Sequence, residues 1–403
     1  MAWRAGRGDS GLRPDRRTAW SGRKKLAFIP LHRPNAHPPD EAVPPDWANQ
    51  ILRRVLFDPD LNTRADRSLR AYIHAASSGR ADLDAVVLPR QVLDQQDVPV
   101  DALEAPMGAA LRAQGCHAAA IVMLGQPPTG TSQRGGFWAR FDMSEGLGVW
   151  AMEFMHCLAQ FDDLYPFGGN MGRFDEMAAS AGTHPSAYTK AAIGRIDAAS
   201  IAQHPAGRAA SYALHAVGLV QPPPSGRSAA VRVGSQAPYL MVEARQRVDQ
   251  FDAGIPSEGV IVYRVQTPDP LGHAQPGVAP VLPLTPVALG VGQAFTSDAQ
   301  VRVRVVSALP GGFSVSVDDS LTATGFVTSY EAERVNPDRP PSANNPVGQT
   351  IELDSKPGFL FTATGGPLYG GIVKTATDGH RKVETAYAAS GAQAGRIITL
   401  KLK

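Results

Sequence analysis

Glu153 and His156 stand one helical turn apart in the run Val149-Trp150-Ala151-Met152-Glu153-Phe154-Met155-His156-Cys157-Leu158. A carboxylate can take up and release a proton, and an imidazole can do the same or bind a divalent ion. Position 152 lies four residues before His156, so on a helix the two share one face. Two histidines at that spacing grip one zinc ion, and a glutamate after the first polarises the attacking water. Here the first of the two positions is Met152. A neutral thioether suits Cu(I) far better than zinc, which favours imidazole, thiolate and carboxylate. Taken alone, Glu153 and His156 also fit a polar pair on a surface helix.

Such a pair needs a helix to carry it and a folded body to bury that helix. Periodicity predicts a long helix from about Gly146 to Gln160, with Ser144 as its N-cap. Upstream, helical spacing covers Asp46–Phe57 (Trp47, Ile51, Val55) and Thr63–Ala76 (Leu69, Tyr72, Ile73). Val86-Val87-Leu88 and the run from His117 to Leu124 predict short buried strands, and Val100–Gln114 predicts a helix ending at Gly115. After about residue 205 the pattern turns to alternation: Ala229–Val233, Tyr239–Ala244, Gly259–Val265, Val301–Val306, Phe313–Val317, Thr350–Leu353 and Ile397–Leu402. Pro222-Pro223-Pro224 and Thr267–Pro286 predict loops, and Asp338–Pro346 a linker.

The chain has 403 residues, 43% hydrophobic and 19% charged, which excludes a wholly disordered protein. Its net charge of +2 excludes a uniformly basic nucleic-acid coat. Forty glycines and 34 prolines favour turns and short strands over a helical bundle. Nine basic and two acidic residues fall within residues 1–33, so the remainder is net acidic. This start predicts a solvated basic tail, with the fold beginning near Pro44. Its apolar stretch, Leu26–Leu31, is shorter than the core of a secretory signal. No apolar run approaches the ~20 residues that span a bilayer. Cys116 and Cys157 are too few for a disulfide framework or a cysteine-rich zinc site and fit two small buried hydrophobes. No G-x-x-x-x-G-K phosphate loop and no Gly-x-Ser-x-Gly elbow occurs.

Other short motifs follow the helix in order: Asp162-Asp163-Leu164-Tyr165, Phe174-Asp175-Glu176-Met177, Pro185-Ser186-Ala187-Tyr188-Thr189-Lys190 with Gly194, and Glu243-Ala244-Arg245. In order and spacing, residues 45–330 resemble the immune inhibitor A-like zinc metalloproteases. Their pattern is a His-Glu-x-x-His helix, an Asp-Leu-Tyr-like segment, a Phe/Trp-Asp-x-Met turn, a Pro-Ser-x-x-Lys-x-x-x-Gly stretch, and a β module with a Glu-x-Arg strand.

The resemblance implies an α+β chain: a zincin-like catalytic domain followed by a β-sandwich-like module. Its expected divisions are the basic tail at 1–43, the catalytic domain at 44–205, the β module at 206–325, and a linker with a C-terminal β segment at 326–403. Glu153 would be the general base, and zinc would be held by His156 with Asp162 or Asp163. Counting from the helix favours Asp162, and aligning on Asp-Leu-Tyr favours Asp163. Met177 would pack in a turn beneath the metal. The resemblance also implies secretion and a protein or peptide substrate; no nucleic-acid partner is expected, because the basic tail lacks interleaved aromatics for base stacking.

The chain departs from this pattern at Met152, at Ala159-Gln160 in place of a glycine, and at Arg195 in place of a tryptophan. With Met152 in the first ligand position, the expectation is a weakened or absent zinc site. The function expected is then a metalloendopeptidase-like protein with impaired hydrolysis, or else an inactive pseudoprotease that binds peptides or a partner. His184 would be a rescue ligand or a turn residue, and His117 and His204 would have no role in the site.

Overall fold

The structure is a computed structural model. It describes residues 21–33, 45–57, 67–92, 101–123, 130–132, 136–166, 171–267, 277–297, 301–334, 347–353, 356–365, 382–388 and 397–402. The basic segment before residue 21 and the Asp338–Pro346 stretch fall outside them.

The first part runs β1 (Gly22–His32), α1 (Trp47–Leu56), α2 (Leu69–Ala76), β2 (Ala81–Val87), β3 (Gln91–Val92), α3 (Asp101–Ala113), β4 (Ala118–Met123), β5 (Thr131–Ser132), β6 (Trp138–Asp142), α4 (Leu147–Ala159), α5 (Glu176–Ala179) and α6 (Ala187–Ala192). Its sheet has the order β2-β1-β4-β6-β5, with β3 also on β1. All pairings are parallel except that of β5, the antiparallel edge.

The expected start near Pro44 is overturned by β1, which lies between two parallel partners and buries Leu26–Ile29 and Leu31 completely. Leu26–Leu31 is a continuous apolar run because both faces of a parallel sheet are covered. Leu26 and Phe28 pack towards α1, α2 and α4, whereas Ala27, Ile29 and Leu31 pack with Leu111 of α3. The basic residues just before the run disguised it as tail.

The second part comprises β7 (Ile201–His204), β8 (Ala209–His215), β9 (Ala230–Val233), β10 (Tyr239–Arg245), β11 (Gly259–Val265), β12 (Val281–Pro283), β13 (Ala294–Thr296), β14 (Arg302–Leu309) and β15 (Gly312–Asp318). One sheet has the order β12-β11-β10-β9-β7 and the other β13-β14-β15-β8. β12 falls inside the stretch expected to be loop, and β7 begins before the expected division at 205.

Alternation along β10 and β11 sends side chains two ways. Leu240, Val242, Val260 and Val262 face Val303, Val305, Val315 and Val317 of the second sheet, while Met241, Ile261 and Tyr263 join the core of the first part. The middle sheet is thus covered on both faces.

Finally, β16 (Ser320–Arg334), β17 (Val347–Leu353), β18 (Lys356–Gly365), β19 (Lys382–Ala388) and β20 (Ile397–Leu402) form an antiparallel sheet ordered β18-β17-β16-β19-β20. β16 crosses the expected division at 326. The architecture is mixed α and β, and among the described residues no helix is long and apolar enough to cross a membrane.

Candidate functional site

α4 is apolar almost all round because packing surrounds it. The Trp150 ring stacks on Phe141 of β6 at 4.7 Å, and Phe154 meets Phe28 of β1 edge-on at 5.8 Å. The helix is capped by Gly146 and not by Ser144, whose amide and hydroxyl instead donate to Asp142. At the other end Gln160 adopts a left-handed conformation (φ 56°). The tight stop that a glycine would make easily is therefore still made.

Glu153 and His156 are the two ionisable groups that α4 buries, apart from the Cys157 thiol. Glu153 lies against the edge strand, where its Oε2 accepts from Ser132 Oγ at 2.5 Å. Burial raises its carboxyl above the usual range, against the hydrogen bond from Ser132. A Cβ on Gly130 would lie 2.2 Å from Val149 and 3.2 Å from Glu153, so the strand approaches the helix closely because this residue has no side chain.

His156 Nδ1 lies 2.7 Å from the carbonyl oxygen of Phe161. A carbonyl can only accept, so Nδ1 carries the hydrogen and Nε2 is turned towards Asp163. Nε2 lies 3.2 Å from Oδ1 of Asp163. That contact misses hydrogen-bond geometry, and Oδ1 is buried with no hydrogen-bond partner, while Oδ2 accepts from Tyr165 at 2.8 Å. Burial lowers the imidazole's affinity for a proton, but Asp163, Glu153 and the Phe161 carbonyl outweigh it, and the net shift is upward. Of the two expected aspartates, Asp163 is the one against the imidazole. Between the helix end at Gln160 and Asp163 the chain passes through Phe161, whose side chain is fully buried and whose carbonyl oxygen meets His156 Nδ1.

Two ligands each about 2.0–2.1 Å from one tetrahedral zinc ion are about 3.3 Å apart. His156 Nε2 and Asp163 Oδ1 fit that bite, and each side chain is oriented by a hydrogen bond at its other polar atom, Nδ1 to Phe161 O and Oδ2 from Tyr165. Position 152 does not fit. Met152 is 4% exposed, and its sulfur accepts from Ser180 Oγ at 2.9 Å. Among the described residues no group of three or more His, Cys, Asp or Glu side chains is arranged to hold a metal. Met177 is fully buried in the core, and its carbonyl accepts from Leu164 N at 2.9 Å, which ties down the segment carrying Asp163.

The remaining motif residues meet in a buried network beneath this turn. Asp175 caps α5 through Met177 N and accepts from Ser186 N and Thr189 Oγ1. Glu243 accepts from Ala187 N and Tyr263, and Arg245 donates to Phe174 O, His184 O and Asp252. The Lys190 ammonium donates to Val217 O, and burial pushes it down to about 7. Arg195 is fully buried, and burial lowers it to about 10. This network joins α5 and α6 to β10 and β11.

His184 belongs to the network through Asp249, at 2.7 Å, and stacks on Tyr72; it is not beside His156. His117 accepts from Lys25 N at the far end of β1, and His204 bonds Tyr212 and the Arg208 carbonyl. Both cysteines are free and buried. A cavity of about 640 Å³ lies elsewhere, between α6 and the middle sheet, lined by Tyr188, Gln203, Arg232, Tyr239 and Met241 among others. It is apart from Glu153 and His156, whose chemistry marks the site better than cavity volume does.

Sequence reasoning missed Ser132 and Ser180, because serines in turn-rich stretches carry no spacing signal, and it gave Tyr165 no role of its own. In comparisons with known proteins, no family model and no curated sequence matches the chain.

Proposed function

We propose that the chain is a metalloendopeptidase-like protein of the immune inhibitor A-like kind, with a zincin-like domain, a β-sandwich-like module, and peptide hydrolysis impaired at Met152. The observation that carries this reading is the pair of His156 Nε2 and Asp163 Oδ1, 3.2 Å apart and each braced from behind. Further support is the four-stranded parallel core with an antiparallel edge strand that hands a serine to Glu153. Zinc, if held by His156 and Asp163, would supply a Lewis acid for a peptide carbonyl. Glu153 would act as the proton acceptor beside it, its carboxyl raised by burial towards a useful range.

With one ligand position filled by a thioether, the set does not complete a three-ligand zinc site. The Ser180–Met152 contact favours a second reading, a pseudoprotease whose cleft holds peptide without cutting it. Elemental analysis of purified protein and a casein-hydrolysis assay separate the two. Substoichiometric zinc and slow hydrolysis abolished by Glu153→Ala support the first. No zinc and no hydrolysis support the second. Zinc bound with undiminished affinity after His156→Ala would overturn both.

A further inference from the structure

The middle sheet turns one row of side chains towards α6. Gln203 of β7, Arg232 of β9 and Met241 of β10 stand abreast, and Tyr239 lies on the same face two residues before Met241. Over this row, α6 and the turn after it present Ala191, Ala192 and Ala198. Alanines there leave open the space that larger side chains fill elsewhere between a helix and a sheet, and the cavity of about 640 Å³ results. Small-molecule sites span roughly 300–1,000 Å³, so the space is of that kind.

Its charge is one-sided. Among the described residues Arg232 is the one charged side chain lining it, and no carboxylate pairs with that guanidinium. The guanidinium is set in place. Nε donates to Gly234 O at 3.0 Å and Nη2 to Ser235 O at 2.6 Å, and Cζ lies 3.8 Å over the centre of the Tyr239 ring. The Gly234 carbonyl also accepts from Gln203 Nε2 at 3.2 Å, which ties this turn to β7. These bonds use the side edge of the guanidinium. Its end edge, one N–H from each Nη nitrogen, has no acceptor among the described residues. Such a fork matches the two oxygens of a carboxylate. Around it the lining is ring, thioether and hydrocarbon, with Tyr188, Tyr239, Met241 and Ile201 beside the alanines. Ring faces and a methionine sulfur favour an aromatic guest. We propose that this cavity binds a small aromatic monocarboxylate, with its carboxylate on the Arg232 fork and its ring among Tyr188, Tyr239 and Met241. Glu153, His156 and Asp163 take no part, so the inference does not rest on the metal-cleft reading above.

The test is isothermal titration of the full chain with 2-naphthylacetate. Uncharged 2-naphthylacetamide and ring-free octanoate are the comparisons, and the melting midpoint of each variant checks folding. The naphthyl acid is expected to bind at one site. Replacing it with the amide, or Arg232 with glutamine (Arg232→Gln), is expected to weaken binding about tenfold or more, as loss of a charge-assisted contact does. Octanoate is expected to bind more weakly than the naphthyl acid. Ala192→Leu, which narrows the cavity and leaves Arg232 untouched, is expected to remove most of the binding. No saturable binding of the naphthyl acid by the native chain overturns the proposal. Equal binding of acid and amide, or undiminished binding by a folded Arg232→Gln, overturns it as well. Octanoate bound as tightly as the naphthyl acid overturns the aromatic assignment. If Arg232→Gln does not fold, the acid–amide comparison on the native chain still decides the role of charge. Undiminished binding by a folded Ala192→Leu places the ligand elsewhere and overturns the site.

Discussion

Ser132 reaches Glu153 from a different element, and the pair shows how the site's acid is kept ionisable though nearly buried. A carboxylate at 7% exposure lacks most of its water, and the serine hydroxyl is the donor that replaces it. Ser132→Ala is expected to lower stability by about 1–3 kcal/mol, the cost of leaving a buried acceptor without its donor. Urea unfolding at neutral pH measures this, and an unchanged midpoint would show that the carboxylate rests on something else. At this scale the sequence exposed Glu153 and His156 because helical spacing links them. It left Asp162 and Asp163 undecided, because adjacent residues of one type carry the same chemistry and only the folded chain shows which faces the imidazole. Ser132 and Ser180 were hidden because each is far along the chain from the residue it touches.

Among the elements, α4 and the turn after α5 depend most on one atom. A Cβ at Gly148 would stand 2.0 Å from the Ser180 carbonyl oxygen and 2.4 Å from Gly182 N. Backbone cannot yield as a side-chain tip does, so Gly148→Ala is expected near the upper end of overpacking costs, about 3 kcal/mol. A thermal melt checks it, and a variant as stable as the native chain would mean that the helix and turn are not in close contact. Periodicity disclosed α1, α3, α4 and most strands of the middle sheet, since each is amphipathic or continuously apolar over its length. It did not disclose β7 or β8, whose polar alternation is muted by alanines, or β1, whose apolar run follows Arg23-Lys24-Lys25. Nor could it place the N-cap at Gly146, because Ser144 is spent on Asp142.

For the molecule as a whole, the buried network ties the first part to the middle sheet across the point near 205 where the sequence pattern turns to alternation. Arg245 of β10 donates to Phe174 O and His184 O of the first part and pairs with Asp252, and removing one partner of such a buried pair typically costs about 3–5 kcal/mol, so Arg245→Ala is expected to loosen this join. Its edge should respond to acid. Burial opposes ionisation of Asp249, but His184 and the amides of Phe251 and Asp252 hold its carboxyl below the usual value. A depressed carboxyl contributes stability above its unfolded value near ~3.9, and that contribution is lost as pH falls through the folded value. Unfolding midpoints measured across this range are expected to fall less steeply for Asp249→Asn than for the native chain; parallel curves would remove Asp249 from the account. Glu176 and Glu243, raised by burial, act oppositely, losing their contribution as pH rises through their folded values. The place of β1 in the sheet carries a consequence for synthesis. The ribosome delivers Leu26–Leu31 before either neighbouring strand, and β4 emerges only some ninety residues later. Until then the middle of the sheet is a bare apolar ribbon, so newly made chains should be good clients for chaperones and quick to aggregate without them.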